Sequence, residues 1–267
     1  MKKALQILLL VAVTMMLFGC QSTSESSNVL RVGATPVPHV QLLNQVKDQL
    51  AEEGIELEII EFTDYVKPNL SLNDGEIDVN FFQHLPYLED FNEERGMNLV
   101  SVAGIHVEPM GLYSEKFDSF DALPEGATIS IPNDAVNGGR ALLLLQSEGL
   151  IELDPEAGLE ATEADIVANP KGITIQAIEA AQLPRTLVDV DASVINGNYA
   201  IEAGFNPIAD ALLLEGGDSP YVNILTTRED NAADPKVKAL IQALQTEAIE
   251  TFIQETYEGA VVAAFTE

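Results

Sequence analysis

The chain has one cysteine, no tryptophan, three histidines and only 13 lysines and arginines against 43 aspartates and glutamates. A single cysteine excludes an intramolecular disulfide, a multi-cysteine zinc site and a thiol redox pair. The formal charge of −30 repels phosphate backbones and anionic headgroups, which excludes nucleic acid as a partner. His39, His84 and His106 fall into no readable triad or metal-ligand spacing. Nothing among the many carboxylates selects an acid/base pair, so the sequence offers no catalytic residues, no metal site and no cofactor site.

The N-terminus has the layout of a processing signal. Lys2 and Lys3 precede an apolar run from Ala4 to Phe18, interrupted only by Gln6 and Thr14. That run is shorter than the ~20 residues of a membrane span and reads as a signal-peptide core. It ends in Leu17-Phe18-Gly19-Cys20, which resembles the bacterial lipobox. Residues 1–20 are therefore expected to be signal peptide and lipobox, with acyl chains (palmitate among them) on Cys20 anchoring the protein to a membrane. Residues 21–28, rich in serine, have the composition of a flexible tether.

From Val29 onward, strand-like and helix-like segments alternate. Leu30–Thr35, Ile55–Phe62, Asp78–Gln83, Thr128–Pro132, Ile173–Ile178, Ala192–Ile195 and Tyr221–Thr227 read as strands. Helices are expected over Val40–Glu53, from Pro68 to Gly75, from Pro86 to Gly96, and over Gly138–Glu148 and Ala164–Ala168. A long terminal helix over Pro235–Glu258 would bury Val237, Leu240, Ile241, Leu244, Ala248 and Phe252. This alternation means α/β, with parallel sheets and a ligand site beyond the strand ends.

Three segments are chemically odd for their expected positions. Asp78–Tyr87 ends a strand in Phe81, Phe82, His84 and Tyr87, with Phe82 and His84 on one face. Ile131–Arg140 reads as a strand, a glycine-rich turn and a helix start. Arg140 in the first helical turn would oppose the macrodipole, which an anionic ligand would explain; pairing with a surface acid is the alternative. Val194–Ala200 carries Asn196 and Asn198 out of a buried strand, and Asn223 interrupts an apolar run; amides there could bond both ends of an amino acid, or simply make turns.

With these phrases assembled, the chain resembles the methionine-binding lipoprotein family, the NlpA-type substrate-binding proteins of methionine ABC importers. The resemblance runs through Phe62–Asn69, Asp78–His84, Ile131–Asp134, Asn137–Leu142, Ala181–Arg185, Ile195–Ala200 and Ser219–Ile224. It implies a two-lobed Venus-flytrap fold with two chain crossings, residues 29–108 plus 222–267 forming one lobe and 109–221 the other. It also implies a thioether pocket of Tyr65, Phe82, His84 and Tyr87, a carboxylate partner in Arg140, and backbone contacts from Asn196, Asn198 and Asn223. Expected partners are methionine, the membrane subunits of the importer and the lipid bilayer, with the body facing the periplasm or cell exterior. A methionine-containing dipeptide, D-methionine or another amino acid stays open as ligand, and a structural or adhesive surface lipoprotein is the reading of a different class.

Overall fold

A computed structural model describes residues 28–216 and 219–266. The signal peptide, Cys20 and all but the last residue of the expected tether lie outside the described residues.

The first strand, β1 (Val29–Ala34), buries Leu30, Val32 and Ala34. A helical turn over Pro36–Val40 leads into α1 (Gln41–Glu52), which buries Leu42, Leu43, Val46 and Leu50. Gly54 takes φ 79° beyond its end, a left-handed conformation that suits a residue without Cβ. β2 (Glu56–Glu61) follows, then α2 (Lys67–Asn73) with Pro68 in its first turn. β3 (Val79–His84) is buried throughout, and α3 (Leu85–Arg95) leaves from its end. β4 (Leu99–Val107) completes the first passage through this sheet.

The second sheet begins three residues later with β5 (Gly111–Tyr113). It continues through β6 (Thr128–Pro132), α4 (Ala135–Ser147), the short pair β7 (Glu152–Leu153) and β8 (Ile166–Ala168), and β9 (Thr174–Ile178). Next come α5 (Leu183–Thr186), β10 (Ala192–Ile195), α6 (Gly197–Glu202), α7 (Pro207–Asp210) and β11 (Leu213–Leu214). β12 (Val222–Arg228) then returns to the first sheet, followed by α8 (Pro235–Leu244), α9 (Glu247–Tyr257) and β13 (Val262–Thr266).

The six-stranded sheet runs β13-β4-β12-β3-β1-β2 and the five-stranded sheet β11-β5-β10-β6-β9. Each has its own apolar core: Leu30, Phe81, Ile105 and Leu240 in one, Leu112, Ile129, Leu145 and Val194 in the other. The result is an α/β molecule of two sheet-centred lobes, with the chain passing between sheets after Val107 and again before Val222. No helix among the described residues is long and apolar enough to cross a membrane.

Three expectations fail in instructive ways. Ala164–Ala168 is no helix: Glu163–Asp165 is a single 3-10 turn, closed by a Thr162–Asp165 capping box, and Ile166–Ala168 pairs as β8. The terminal helix breaks at Gln245, whose ψ of 61° is not helical, and Thr246 caps a new helix. The Gln245 amide instead donates to the carbonyls of Gly104 (3.0 Å) and Thr266 (2.8 Å). The break shifts the buried face by one residue, so Ile249 and Ile253 are buried and Ala248 is exposed. Finally, the helix carrying Arg140 starts at Ala135, so Gly138 and Gly139 are helical and Arg140 lies in the second turn. The macrodipole argument for Arg140 therefore lapses. The glycines serve close approach: a Cβ on Gly139 would stand 2.2 Å from the Leu159 carbonyl oxygen, and one on Gly138 would stand 3.0 Å from that of Pro132.

Candidate functional site

Strand β3 is pinned before it reaches the site. Asn80 Nδ2 donates to Asn69 Oδ1 at 2.7 Å, and Asn69 Nδ2 donates to Gln83 Oε1 at 2.8 Å. Gln83 Nε2 donates in turn to Asn69 Oδ1, Asn80 Oδ1 and Thr226 Oγ1. These buried amides satisfy one another, which fixes the strand against α2 and β12. The alternation of β3 then sends Phe81 into the core of the first lobe and Phe82 to an aromatic wall.

That wall is a triangle of rings. Tyr65 and Phe82 have centroids 5.9 Å apart, Tyr65 and Tyr87 6.0 Å, and Phe82 and Tyr87 6.1 Å. His84 caps α3, its Nδ1 accepting the Tyr87 backbone N–H at 3.3 Å. The proton therefore sits on Nε2, which donates to Asn137 Oδ1 at 3.2 Å. Burial, reinforced by the Arg140 charge, pushes the His84 pKa down to about 3, so the ring is neutral at physiological pH.

Asn137, one helical turn before Arg140, joins the two lobes. Its Oδ1 also accepts from Asn196 Nδ2 at 2.8 Å, and its own Nδ2 donates to Asp134 Oδ1 at 2.9 Å. Across the cleft Tyr65 O–H donates to Asn198 Oδ1 at 2.5 Å. His39, held through Nδ1 to Thr35 Oγ1 at 2.8 Å, donates from Nε2 to Asn223 Oδ1 at 3.1 Å.

Arg140 is 4% exposed and well occupied. Its Nε donates to Glu215 Oε1 at 3.1 Å and its Nη2 to Glu215 Oε2, forming a two-pronged pair. Nη2 also donates to the Glu108 carbonyl at 2.9 Å, and the guanidinium lies 4.3 Å from the centre of the Tyr221 ring. An acid is thus its partner, as the alternative reading had it, and Glu215 stands beside the cavity rather than in its lining. No hydrogen bond among the described residues uses Nη1.

All eight residues singled out from the sequence, Tyr65, Phe82, His84, Tyr87, Arg140, Asn196, Asn198 and Asn223, line one cavity, which holds about 20 Å³ of open space. Gln83, Glu108, Asn137 and Gly197 line it with them. Two polar atoms in its wall are buried without partners among the described residues: Asn196 Oδ1, an acceptor, and Asn198 Nδ2, a donor. Buried amide atoms are rarely left unpaired without cause, and this pair matches a ligand that both donates and accepts.

Sequence reasoning missed Glu108, Asn137 and Gln83. Glu108 is the sole acidic residue in the apolar stretch Leu99–Tyr113, a signal that could have found it. The histidine argument also needs correction, because His39 and His106 converge on Glu108 behind the cavity. Their ligand atoms lie within 4.8 Å of one another. His106 Nε2, however, is 2.7 Å from Glu108 Oε1, closer than the ~3.3 Å edge of a tetrahedral zinc shell with bonds near 2.0 Å. His106 and Glu108 are hydrogen-bonded, while His39 Nε2, 3.3 Å from Glu108 Oε1, gives its hydrogen bond to Asn223.

The match to known proteins is extensive. Residues 30–265 match the model of the NlpA lipoprotein family. This chain belongs to that family. The D-methionine-binding lipoprotein MetQ of Salmonella typhimurium is 42% identical over 250 residues, covering 92% of each chain. Among solved structures, a nutrient binding protein from Burkholderia cenocepacia bound to methionine superposes with a TM-score of 0.84. It is 44% identical, covering 88% of this chain and 100% of that one. An ABC transporter periplasmic substrate-binding protein from Coxiella burnetii has the same TM-score, identity and coverage. As a member of this NlpA lipoprotein family, the chain has the fold of periplasmic substrate-binding proteins and the role of a solute-binding receptor for an ABC importer.

Proposed function

We propose that this NlpA-family chain captures methionine outside the cytoplasm and delivers it to the membrane subunits of an ABC importer. The observation that carries the reading is the cavity itself, where an aromatic triangle, a buried guanidinium and two unpaired amide atoms share one wall. A thioether is polarizable and gains about 0.3–1.5 kcal/mol per aromatic contact, so Tyr65, Phe82 and Tyr87 would surround the sulfur with neutral His84 beside it. Arg140 would meet the α-carboxylate through Nη1, aided by the free N–H groups of Asn198. Asn196 Oδ1 would accept from the ammonium, and Asn223, its carbonyl engaged by His39, would present its amide N–H groups.

In this reading the lobes comprise residues 29–108 plus 222–267 and residues 109–221, closing over the ligand by a hinge at the two chain passages. The protein acts by binding, without catalysis or cofactor. It is held to the membrane by acyl chains on Cys20 and faces the periplasm or cell exterior, which the lipoprotein relatives support.

The deciding experiment is a thermal shift with the protein refolded after unfolding to strip carried-over ligand. A ligand stabilises by RT ln(1 + [L]/Kd), so L- or D-methionine should raise Tm while leucine at equal concentration does much less. Equal shifts from methionine and leucine would eliminate the thioether pocket; no shift from either enantiomer would favour an adhesive or structural lipoprotein.

A further inference from the structure

Both lobes of this protein are acidic, and their opposite charges do not meet across the cleft. The chain has 43 aspartates and glutamates against 13 lysines and arginines. Between the two chain passages, residues 109–221 hold only Lys116, Arg140, Lys171 and Arg185 as bases. Arg31–Asp78, Lys67–Asp64 and Arg228–Asp230 pair within the first lobe, and Lys116–Asp191 and Arg140–Glu215 within the second. No ion pair among the described residues joins one lobe to the other. The crossing bonds are made by neutral groups: Tyr65 O–H to Asn198 Oδ1 at 2.5 Å, His84 Nε2 to Asn137 Oδ1 at 3.2 Å, and Tyr199 O–H to the Thr63 carbonyl at 3.3 Å. Arg140 crosses to the Glu108 carbonyl at 2.9 Å, and the Asn198 backbone N–H to the Glu108 carboxylate, each a charge against a dipole.

Like charges do meet there. α3 of the first lobe packs against α4 of the second, and Gly139 lets the 159–161 segment lie on α4. Asp90 and Glu94, on successive turns of α3, thereby face Asp134 and Glu160 of the second lobe. Burial raises the pKa of Asp90, and Glu94, Glu160 and Asp134 raise it further; burial raises Asp134, with Glu94 adding to the effect. The cation of this rim, Arg95, lies over the Phe91 ring of its own helix, 4.7 Å from the centre. On the other flank burial pushes the Tyr199 pKa up, and Asp64 of the first lobe and Glu202 and Glu179 of the second push it further. Arg185 and Glu202 share the groove beside it.

We propose that closing the lobes works against this like charge, so that ionic strength sets the open–closed balance of the receptor and methionine binds more tightly as salt rises. This control rests on the reading of the cavity as a methionine site shut by hinge motion. Methionine is a zwitterion without net charge, and its contacts lie in a closed cleft that salt screens little. The lobes do carry net charge, and Glu94 and Glu160 are exposed to solvent, where screening is strong. A closed state reached against repulsion lowers the apparent affinity by the fraction of molecules that reach it. Salt relieves that penalty and leaves the ligand contacts in place.

The test is calorimetry of methionine binding to the protein lacking residues 1–20, at roughly 10 mM and about 1 M sodium chloride, where the Debye length falls from ~30 Å to ~3 Å. Wild type should bind about fivefold more tightly at the higher salt. Asp90→Asn with Glu94→Gln removes two charges from the rim. It should bind about threefold more tightly than wild type at low salt and lose roughly half of the salt response. Glu53→Gln with Glu56→Gln removes the same charge from the exposed α1–β2 turn, at the end of the sheet away from His84, and should behave as wild type. High salt also strengthens apolar burial, but equally in all three proteins, so the rim variant isolates the charge. Circular dichroism checks each fold. A wild-type affinity that is flat or falls with salt would overturn the proposal while leaving the methionine site standing. So would a folded rim variant that keeps the wild-type salt response. Absence of methionine binding at both salts would remove the ligand reading, and this control with it.

Discussion

Arg140 and Glu215, 75 residues apart, form a two-pronged ion pair at the edge of the ligand cavity, with the arginine 4% exposed and the glutamate side chain 19% exposed. The pair keeps the guanidinium neutralised and oriented before any ligand carboxylate arrives, and among the described residues nothing bonds Nη1. Arg140→Ala should therefore cost about 2–5 kcal/mol of methionine binding, because a ligand carboxylate is left buried without its cation. It should also lower Tm, since Glu215 loses its partner. Adding Glu215→Ala should restore part of the Tm but none of the affinity. Arg140→Lys should recover little of either, as an ammonium cannot hold two partners in a plane. Calorimetry with circular dichroism as control reads all three. A folded Arg140→Ala protein within threefold of wild-type affinity, about 0.7 kcal/mol, would mean that Arg140 serves Glu215 alone.

The aromatic triangle makes a separate prediction about sulfur. Norleucine replaces the thioether with a methylene at nearly constant shape. Methionine should bind more tightly by about 0.3–1.5 kcal/mol per sulfur–aromatic contact, and Phe82→Leu should narrow the difference. Competition calorimetry measures it, and equal affinity for the two ligands in wild type would rule out aromatic recognition of sulfur.

Gly139 tests the packing that sets Arg140. Its missing Cβ admits the Leu159 carbonyl at a distance no side chain would allow. Gly139→Ala should destabilise by about 1–3 kcal/mol, seen as a fall of several degrees in Tm, although alanine favours helix. An unchanged or raised Tm would show that the 158–161 segment shifts freely.

Cys20→Ser should leave an uncleaved precursor or move the protein out of the membrane fraction, without altering the ligand affinity of the purified body. A Cys20→Ser protein that is processed and stays stably membrane-bound would refute the lipid anchor.

Much of this protein was legible locally. Binary patterning marked most strands and helices, and Pro68, Pro86, Gly54 and Gly96 marked their ends, because caps and turns act over a few residues. Seven of the eight cavity residues stood out because aromatics, amides and a cation at strand ends and near helix starts are unusual, and Tyr65 entered only through the family resemblance. The terminal helix misled for a related reason. Its apolar spacing runs across Gln245 with no proline or glycine to mark a stop, and the break comes from carbonyls of Gly104 and Thr266 that only the sheet brings near.

Composition, the N-terminal signal, the α/β alternation and the candidate cavity residues are thus properties of the sequence by itself. Only the tertiary structure decided that Arg140 pairs with Glu215, that Asn137 bridges His84 and Asn196, and that His39 and His106 converge on Glu108. The physical reason is that periodicity records which face of an element is buried, but not which element it meets. Strand order in the sheets sets β4 and β12 side by side across more than a hundred residues of chain. One acid among 43 carries no local mark that it will be the one folded against the arginine.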